Sequence, residues 1–475
     1  MTESAQPSDA TPSDLTPAES GPAFLLTRLS VMLFLQFFIW GSWYLSVSLY
    51  MYDHQMGAVR FYAYTAGPIA AIIAPFFTGL VADRFFNTER VLGVLFALAG
   101  VFMLALIWVG QMQGTPVEGM LESVTSIESI NGDDTEVTSQ IVTAATVEIF
   151  GQSLSKGWLF NALILAHMLC FMPTLGLTAS LSFAHLRKGP EQFPLVRLWG
   201  TLGWIAAGFL LAFAFTAGEK SAVQFCLGGT AAVLLGVYCF SLPRTPAPSR
   251  GKPFNARDLF FVDAWSEMRR LPFAVFIIGS FLVCIPLAAY YASLQQQMEA
   301  MGMENITAVK NYGTFLEAGM MFMMPFFFRT LGIRWMVLIG IAAWVLRYVM
   351  FALGATPEGY WLVVGGILLH GICYDFFFVT GQVYVDKATP PAIRGQAQGM
   401  LIFFTQGLGL WIGAMAVATL SGRAFGDVAS TSPSSLPLWP KVWWPLAIMA
   451  AVILVIFAAT FRDRKIEATA GTTGR

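Results

Sequence analysis

Charge is scarce in this sequence. Only 12% of its 475 residues are Asp, Glu, Lys or Arg, while 56% are apolar and the mean hydropathy is +0.65. Soluble domains carry about 25% charge, so an ordinary soluble globular chain is excluded. The net charge of −1 leaves no basic field to invite a nucleic-acid partner. Cysteine is limited to Cys170, Cys226, Cys239, Cys284 and Cys373, all inside apolar stretches without CxxC spacing, so they read as small buried hydrophobes. His167, His185 and His370 lack metal-ligand spacing. No phosphate-binding P-loop, HExxH or plausible Ser-His-Asp grouping is present. An ATP-driven pump, a protease or any other enzyme therefore lacks support, and no catalytic residue or metal site is expected. Met1 to Gly21 is rich in Ser, Thr and Pro and has no basic run before an apolar core, so it reads as a disordered tail rather than a cleaved signal.

What the chain does have is apolar runs of membrane-crossing length, roughly 20 residues each. Twelve are expected to be transmembrane helices: 29–51, 60–82, 91–112, 158–182, 197–217, 222–242, 273–298, 306–328, 333–354, 359–385, 394–421 and 442–461. Lys and Arg accumulate on the cytoplasmic side of membrane proteins. With a cytoplasmic N-terminus, nineteen fall in inside segments and six in outside ones, which puts both termini inside. Residues 1–28 and 462–475 are then cytoplasmic tails.

Two connections are long. Residues 113–157 hold seven acids and no base before Lys156, which suits an outer loop. Residues 243–272 carry Pro243, Pro246, Pro248 and Pro253 with six bases and suit an inner one. This second loop divides the chain into 29–242 and 273–461, six helices each. The expected fold class is therefore an all-α polytopic membrane protein with the major facilitator layout. The short loop Gly79-Leu-Val-Ala-Asp83-Arg84 resembles the loop signature of those proteins, and Asp83 reads as a latch rather than a proton carrier. The lipid bilayer is the obligatory surrounding, in an inner membrane.

Ionisable groups deep in a bilayer are costly and usually functional. At 1.5 Å rise per residue, Glu317 lies roughly 18 Å from the inner end of its helix, Asp375 about 17 Å and Arg347 about 20 Å. Arg197 sits near the inner end of the fifth run. Two carboxyls near one arginine cannot both be compensated in a low-dielectric interior. Arg347 is expected to hold Asp375 ionised as a structural ion pair, although Glu317 competes for it. Glu317, beside Ala318 and Gly319, then becomes the proton-linked acid. Trp40 and Tyr374 stand mid-helix beside polar groups and could stack a flat ring. His370, one turn before Tyr374, is a candidate to line a cavity, whereas His167 reads as a core residue.

Several segments together are similar to the nucleoside:proton symporter family of the major facilitators. They are Leu35-Gln-Phe-Phe-Ile-Trp-Gly-Ser-Trp43, Phe171-Met-Pro-Thr-Leu-Gly-Leu177, Phe193-Pro-Leu-Val-Arg-Leu-Trp-Gly-Thr201, Pro325-Phe-Phe-Phe, Trp344-Val-Leu-Arg347, Tyr374-Asp375-Phe-Phe and Pro391-Ala-Ile-Arg394-Gly-Gln-Ala-Gln-Gly399. The resemblance implies a central cavity for a nucleoside and a co-transported proton, no cofactor beyond the proton gradient, and a chain that works as a monomer. By motif position it makes Arg197, Thr201 and Trp204 ligand contacts, matches Glu317 to the family's helix 8 acid, and matches Tyr374 and Asp375 to its aromatic-acid pair. The chain departs from the family at Thr314, His370, Ala288 and Tyr291, where the best-known members carry Gln, Tyr, Gln and Asn. Those changes put base preference in doubt. A sugar or polyol carrier is the alternative, with a non-transporting receptor behind it.

Overall fold

A computed structural model provides the structure, and it describes residues 22–44, 46–77, 85–130, 133–142, 144–187, 189–215, 220–247, 261–303, 306–390, 393–426, 428, 430 and 432–462. The Gly79 to Arg84 signature, residues 248–260 of the central loop and both extreme tails lie outside these residues. The apolar runs fold as helices because backbone that leaves water must satisfy its own hydrogen bonds, and an α-helix does so within one segment. In chain order these are α1 (Pro22–Gly41), α2 (Val47–Asp53), α3 (Ala66–Phe77), α4 (Thr88–Gln111), α5 (Lys156–His185), α6 (Gly189–Phe213) and α7 (Val223–Cys239). There follow α8 (Val262–Glu267), α9 (Leu271–Ala300), α10 (Ile306–Thr330), α11 (Gly332–Leu353), α12 (Tyr360–Ala388), α13 (Arg394–Phe425) and α14 (Pro440–Thr460). A 3₁₀ segment, Gly57–Thr65, leads into α3. Nine helices among the described residues are long and apolar enough to cross a bilayer. Phe213, Phe322, Trp361 and Val455 on their outer faces are each at least 66% exposed, which hydrocarbon tolerates and water does not.

Buried side chains gather into two large cores. One is built from Leu29 to Leu242 with Ile402, the other from Phe261 to Phe461. Within the first, α4 and α7 touch backbone to backbone. A Cβ on Gly100 would lie 2.8 Å from the Gly229 carbonyl oxygen, and one on Gly236 would lie 2.8 Å from that of Gly93. Small residues seven apart on both helices permit this approach, the usual route to tight packing without a hydrophobic driving force.

The acidic connection departs from the all-α expectation. It carries five strands, β1 (Thr115–Pro116), β2 (Leu121–Ile130), β3 (Asp133–Val142), β4 (Ala145–Ile149) and β5 (Gln152–Ser155). β2 and β3 pair antiparallel from Leu121↔Val142 to Ile130↔Asp133, and β1, β4 and β5 form a second sheet. β-branched residues recur through both long strands, and the pair between them, Asn131 and Gly132, is the favoured composition for a two-residue hairpin turn. Lys156, 2% exposed, donates from Nζ to the Met112 carbonyl at 2.8 Å and ties the base of this connection to the end of α4.

α12 and α13 are not regular throughout. Each contains a π-helical stretch, Asp375–Val379 and Phe403–Gly409, a feature that often marks functional positions.

Candidate functional site

The site begins with two glycines on α6. A Cβ on Gly200 would meet the Phe37 ring at 2.7 Å, and one on Gly203 would overlap the Phe34 carbonyl, so α1 and α6 approach closely here. Arg197 lies one turn before Gly200 and rests its guanidinium on the Phe37 ring, 3.8 Å from the centroid. The stacking holds a long flexible side chain in one direction. Arg197 Nη1 then lies 3.4 Å from Thr201 Oγ1, and Thr201 Oγ1 donates to Glu317 Oε1 at 2.9 Å. That second bond joins α6, in the first core, to α10, in the second.

The chain of contacts continues through the second core. Glu317 Oε2 faces His370 Nε2 at 3.8 Å, and His370 Nδ1 lies 3.1 Å from Arg347 Nη1. The Arg347 guanidinium is fully buried and lies 3.5 Å from the centre of the Tyr290 ring, which also stacks on His370 at 5.2 Å. Two glycines lock α10 to α12. A Cβ on Gly371 would lie 2.6 Å from both the nitrogen and Cα of Glu317, and one on Gly313 would lie 2.6 Å from the Ile367 carbonyl.

The expected pair between Arg347 and Asp375 is not formed. Arg347 has no carboxylate within ion-pair distance among the described residues, and its Nε and Nη2 have no hydrogen-bond partner. Asp375 is fully buried, and neither of its oxygens has a partner. The reason is azimuthal. Asp375 follows His370 by five residues, which turns it roughly 140° around the helix. α12 therefore presents His370, not Asp375, to α11. Glu317 does not pair with Arg347 either, because His370 stands between them.

The remaining candidates fall around this line. Trp204 meets Trp40 edge-on at 5.9 Å and Tyr44 at 6.3 Å. Tyr374 tilts against the His370 ring at 5.8 Å. Tyr291 packs against Tyr290 at 5.3 Å and remains 39% exposed. Thr314 is half-buried one turn before Glu317 and makes no side-chain hydrogen bond among the described residues. His167 is buried in the first core, with Nδ1 2.9 Å from the Ala99 carbonyl.

A narrow cleft opens beside Arg197 and is lined by Gln36, Phe37, Trp40, Tyr374 and Gln382 among others. Its walls belong to α1, α5, α6, α12 and α13, so it lies between the two cores. Gln36 is fully buried, donates from Nε2 to Thr174 Oγ1 at 2.9 Å and accepts from Thr178 Oγ1 at 3.0 Å. Sequence reasoning passed over Gln36 and Tyr290. An uncharged amide inside an apolar run was the signal available for the first.

The model of the nucleoside H+ symporter family matches residues 24–126 and 134–466. The chain belongs to that family. The residues omitted inside the match fall at the junction of β2 and β3. YegT of Escherichia coli (strain K12) is 32% identical over 451 residues, covering 93% of this chain and 95% of its own. The nucleoside permease NupG of the same organism is 25% identical over 469 residues, covering 94% of this chain and 98% of its own. The crystal structure of the nucleoside transporter NupG superimposes with a TM-score of 0.62 at 24% identity, over 93% of this chain and all of that one. That likeness establishes a transporter fold.

Proposed function

We propose that this nucleoside H+ symporter family member imports nucleosides with protons across an inner membrane by alternating access. In this reading a single chain crosses the bilayer twelve times in two six-helix halves, with both termini cytoplasmic. The observation that carries it is the line Arg197, Thr201, Glu317, His370, which joins the two apolar cores and begins at Arg197, in the wall of an aromatic-lined cleft. Aromatic faces such as Trp40 and Tyr374 suit a flat base. Glu317 and Arg197 suit hydroxyls, as acceptor and donor.

The assignment of protons follows from pairing. Glu317 receives a hydrogen bond from Thr201, and Asp375 receives none. An uncompensated buried charge is costly, so Asp375 is the carboxyl that exchanges the transported proton, and Glu317 is the one that meets the ligand.

Uptake into proteoliposomes under an imposed proton gradient tests the function. Labelled uridine or adenosine is expected to accumulate, and unlabelled nucleosides are expected to compete where free hexoses do not. Competition by a hexose and by no nucleoside would transfer the site to the sugar reading. The orientation has its own test. Cysteines placed at Ser126 and Ser249 are expected to react with an impermeant thiol reagent from opposite sides of the membrane, the first from outside. Equal labelling of both in intact cells would overturn the topology.

A further inference from the structure

Arginine can donate hydrogen bonds but cannot accept them. Arg347 Nη1 lies 3.1 Å from His370 Nδ1, so Nδ1 must offer its lone pair and the imidazole proton must sit on Nε2. That nitrogen faces Glu317 Oε2 across 3.8 Å, too far for a direct hydrogen bond. The two groups thus stand side by side as a donor and an acceptor, each with its bond unmade. Glu317 Oε1 is already satisfied by Thr201, and the Tyr290 ring covers one face of the imidazole. Both residues are largely buried, yet neither Glu317 Oε2 nor His370 Nε2 is among the fully sealed side-chain atoms that lack a partner.

We propose that His370 and Glu317 read a pair of neighbouring hydroxyls, so that this chain takes ribonucleosides in preference to 2′-deoxyribonucleosides. One hydroxyl donates to Glu317 Oε2, and its neighbour accepts from His370 Nε2–H. Hydroxyls on adjacent ring carbons match two protein groups set this far apart, because the two bonds converge from the protein onto the ring. Arg347 is the positioning residue: it touches no ligand and fixes which imidazole nitrogen carries the proton. The inference rests on the nucleoside reading above and deepens it.

A ligand lacking one hydroxyl leaves a buried polar group unpaired, and sites built to bond a hydroxyl reject such analogues strongly. In the wild-type protein, 2′-deoxyadenosine is expected to compete with labelled adenosine at least about tenfold more weakly than unlabelled adenosine does. His370→Phe keeps a ring against Tyr290 and removes the donor. It is expected to lower affinity for adenosine and to bring the riboside to deoxyriboside ratio close to one. His370→Gln restores a donor and is expected to recover part of the ratio. Equal competition by the two nucleosides in the wild type overturns the proposal while leaving nucleoside transport intact. An unchanged ratio in His370→Phe also overturns it. Failure of adenosine itself to accumulate would instead remove the reading on which the proposal stands. The wild-type competition needs no variant to fold.

Discussion

Asp375→Asn is expected to abolish uphill accumulation of substrate while downhill exchange continues. Asp375 is fully buried and neither carboxyl oxygen has a partner. The substitution conserves shape, breaks no hydrogen bond and removes the ability to exchange a proton. Folded yield is therefore expected to stay near that of the wild type, the opposite of what an ion pair with Arg347 would dictate, since breaking such a pair strands a buried charge. Glu317→Gln behaves differently. A glutamine can still accept from Thr201, so coupling to the proton gradient is expected to persist. The loss of a charged acceptor for the ligand is expected to weaken apparent affinity by about tenfold to a hundredfold. Counterflow and gradient-driven uptake, measured on both variants in proteoliposomes, separate the two roles. Gradient-driven accumulation by Asp375→Asn, together with its loss in Glu317→Gln, would reverse the assignment.

The second large effect is expected from a single methyl group. In Gly371→Ala the new Cβ would lie 2.6 Å from the backbone of Glu317. Backbone cannot swing aside as a side-chain tip can, so α10 or α12 must shift. Overpacking of this kind costs about 1–3 kcal/mol. The larger consequence is geometric, because Glu317 and His370 ride on the two displaced helices. A displacement of about 1 Å at a positioned group can cost on the order of 100-fold in function. Transport by Gly371→Ala is therefore expected to fall much further than its folded yield. Gly319→Ala is the control. It lies two residues beyond Glu317, and nothing stands within 4 Å of its Cβ position, so near-normal uptake is expected. Equal activity of the two variants would show that the contact at Gly371 does not position the site.

The helices were legible because a run of about 20 apolar residues has few alternatives in a membrane protein. Part of the site was legible as well: Glu317, singled out from its place along the helix, His370 from its helix face, and Arg197 and Thr201 from family motif do come together. What counting residues along an axis cannot supply is the direction each side chain takes around it. Arg347 and Asp375 share a depth and belong to neighbouring helices, yet the five-residue step from His370 to Asp375 turns the acid away from the arginine. The π-helical stretch that begins at Asp375 adds a local departure from 3.6 residues per turn that no apolar pattern announces. The strands of 115–155 were obscured by composition, because seven acids drew the reading toward a solvated loop and away from the β-branched pattern beneath them.

The glycine contacts between α4 and α7 bear on how such a protein can move. At Gly93, Gly100, Gly229 and Gly236 the two helices meet main chain against main chain, flanked by the side chains of Phe240, Val233 and Leu104. Sliding that seam along its length would drive Ala97, Leu104 or Val233 into the opposing main chain, so it cannot act as a shear plane. Between the two halves the contacts are mixed. A Cβ on Gly176 would meet the terminal methyl of Ile402 at 3.3 Å, where a rotamer change can absorb displacement, whereas one on Gly407 would lie 3.2 Å from the backbone nitrogen of Ile72, which cannot swing aside.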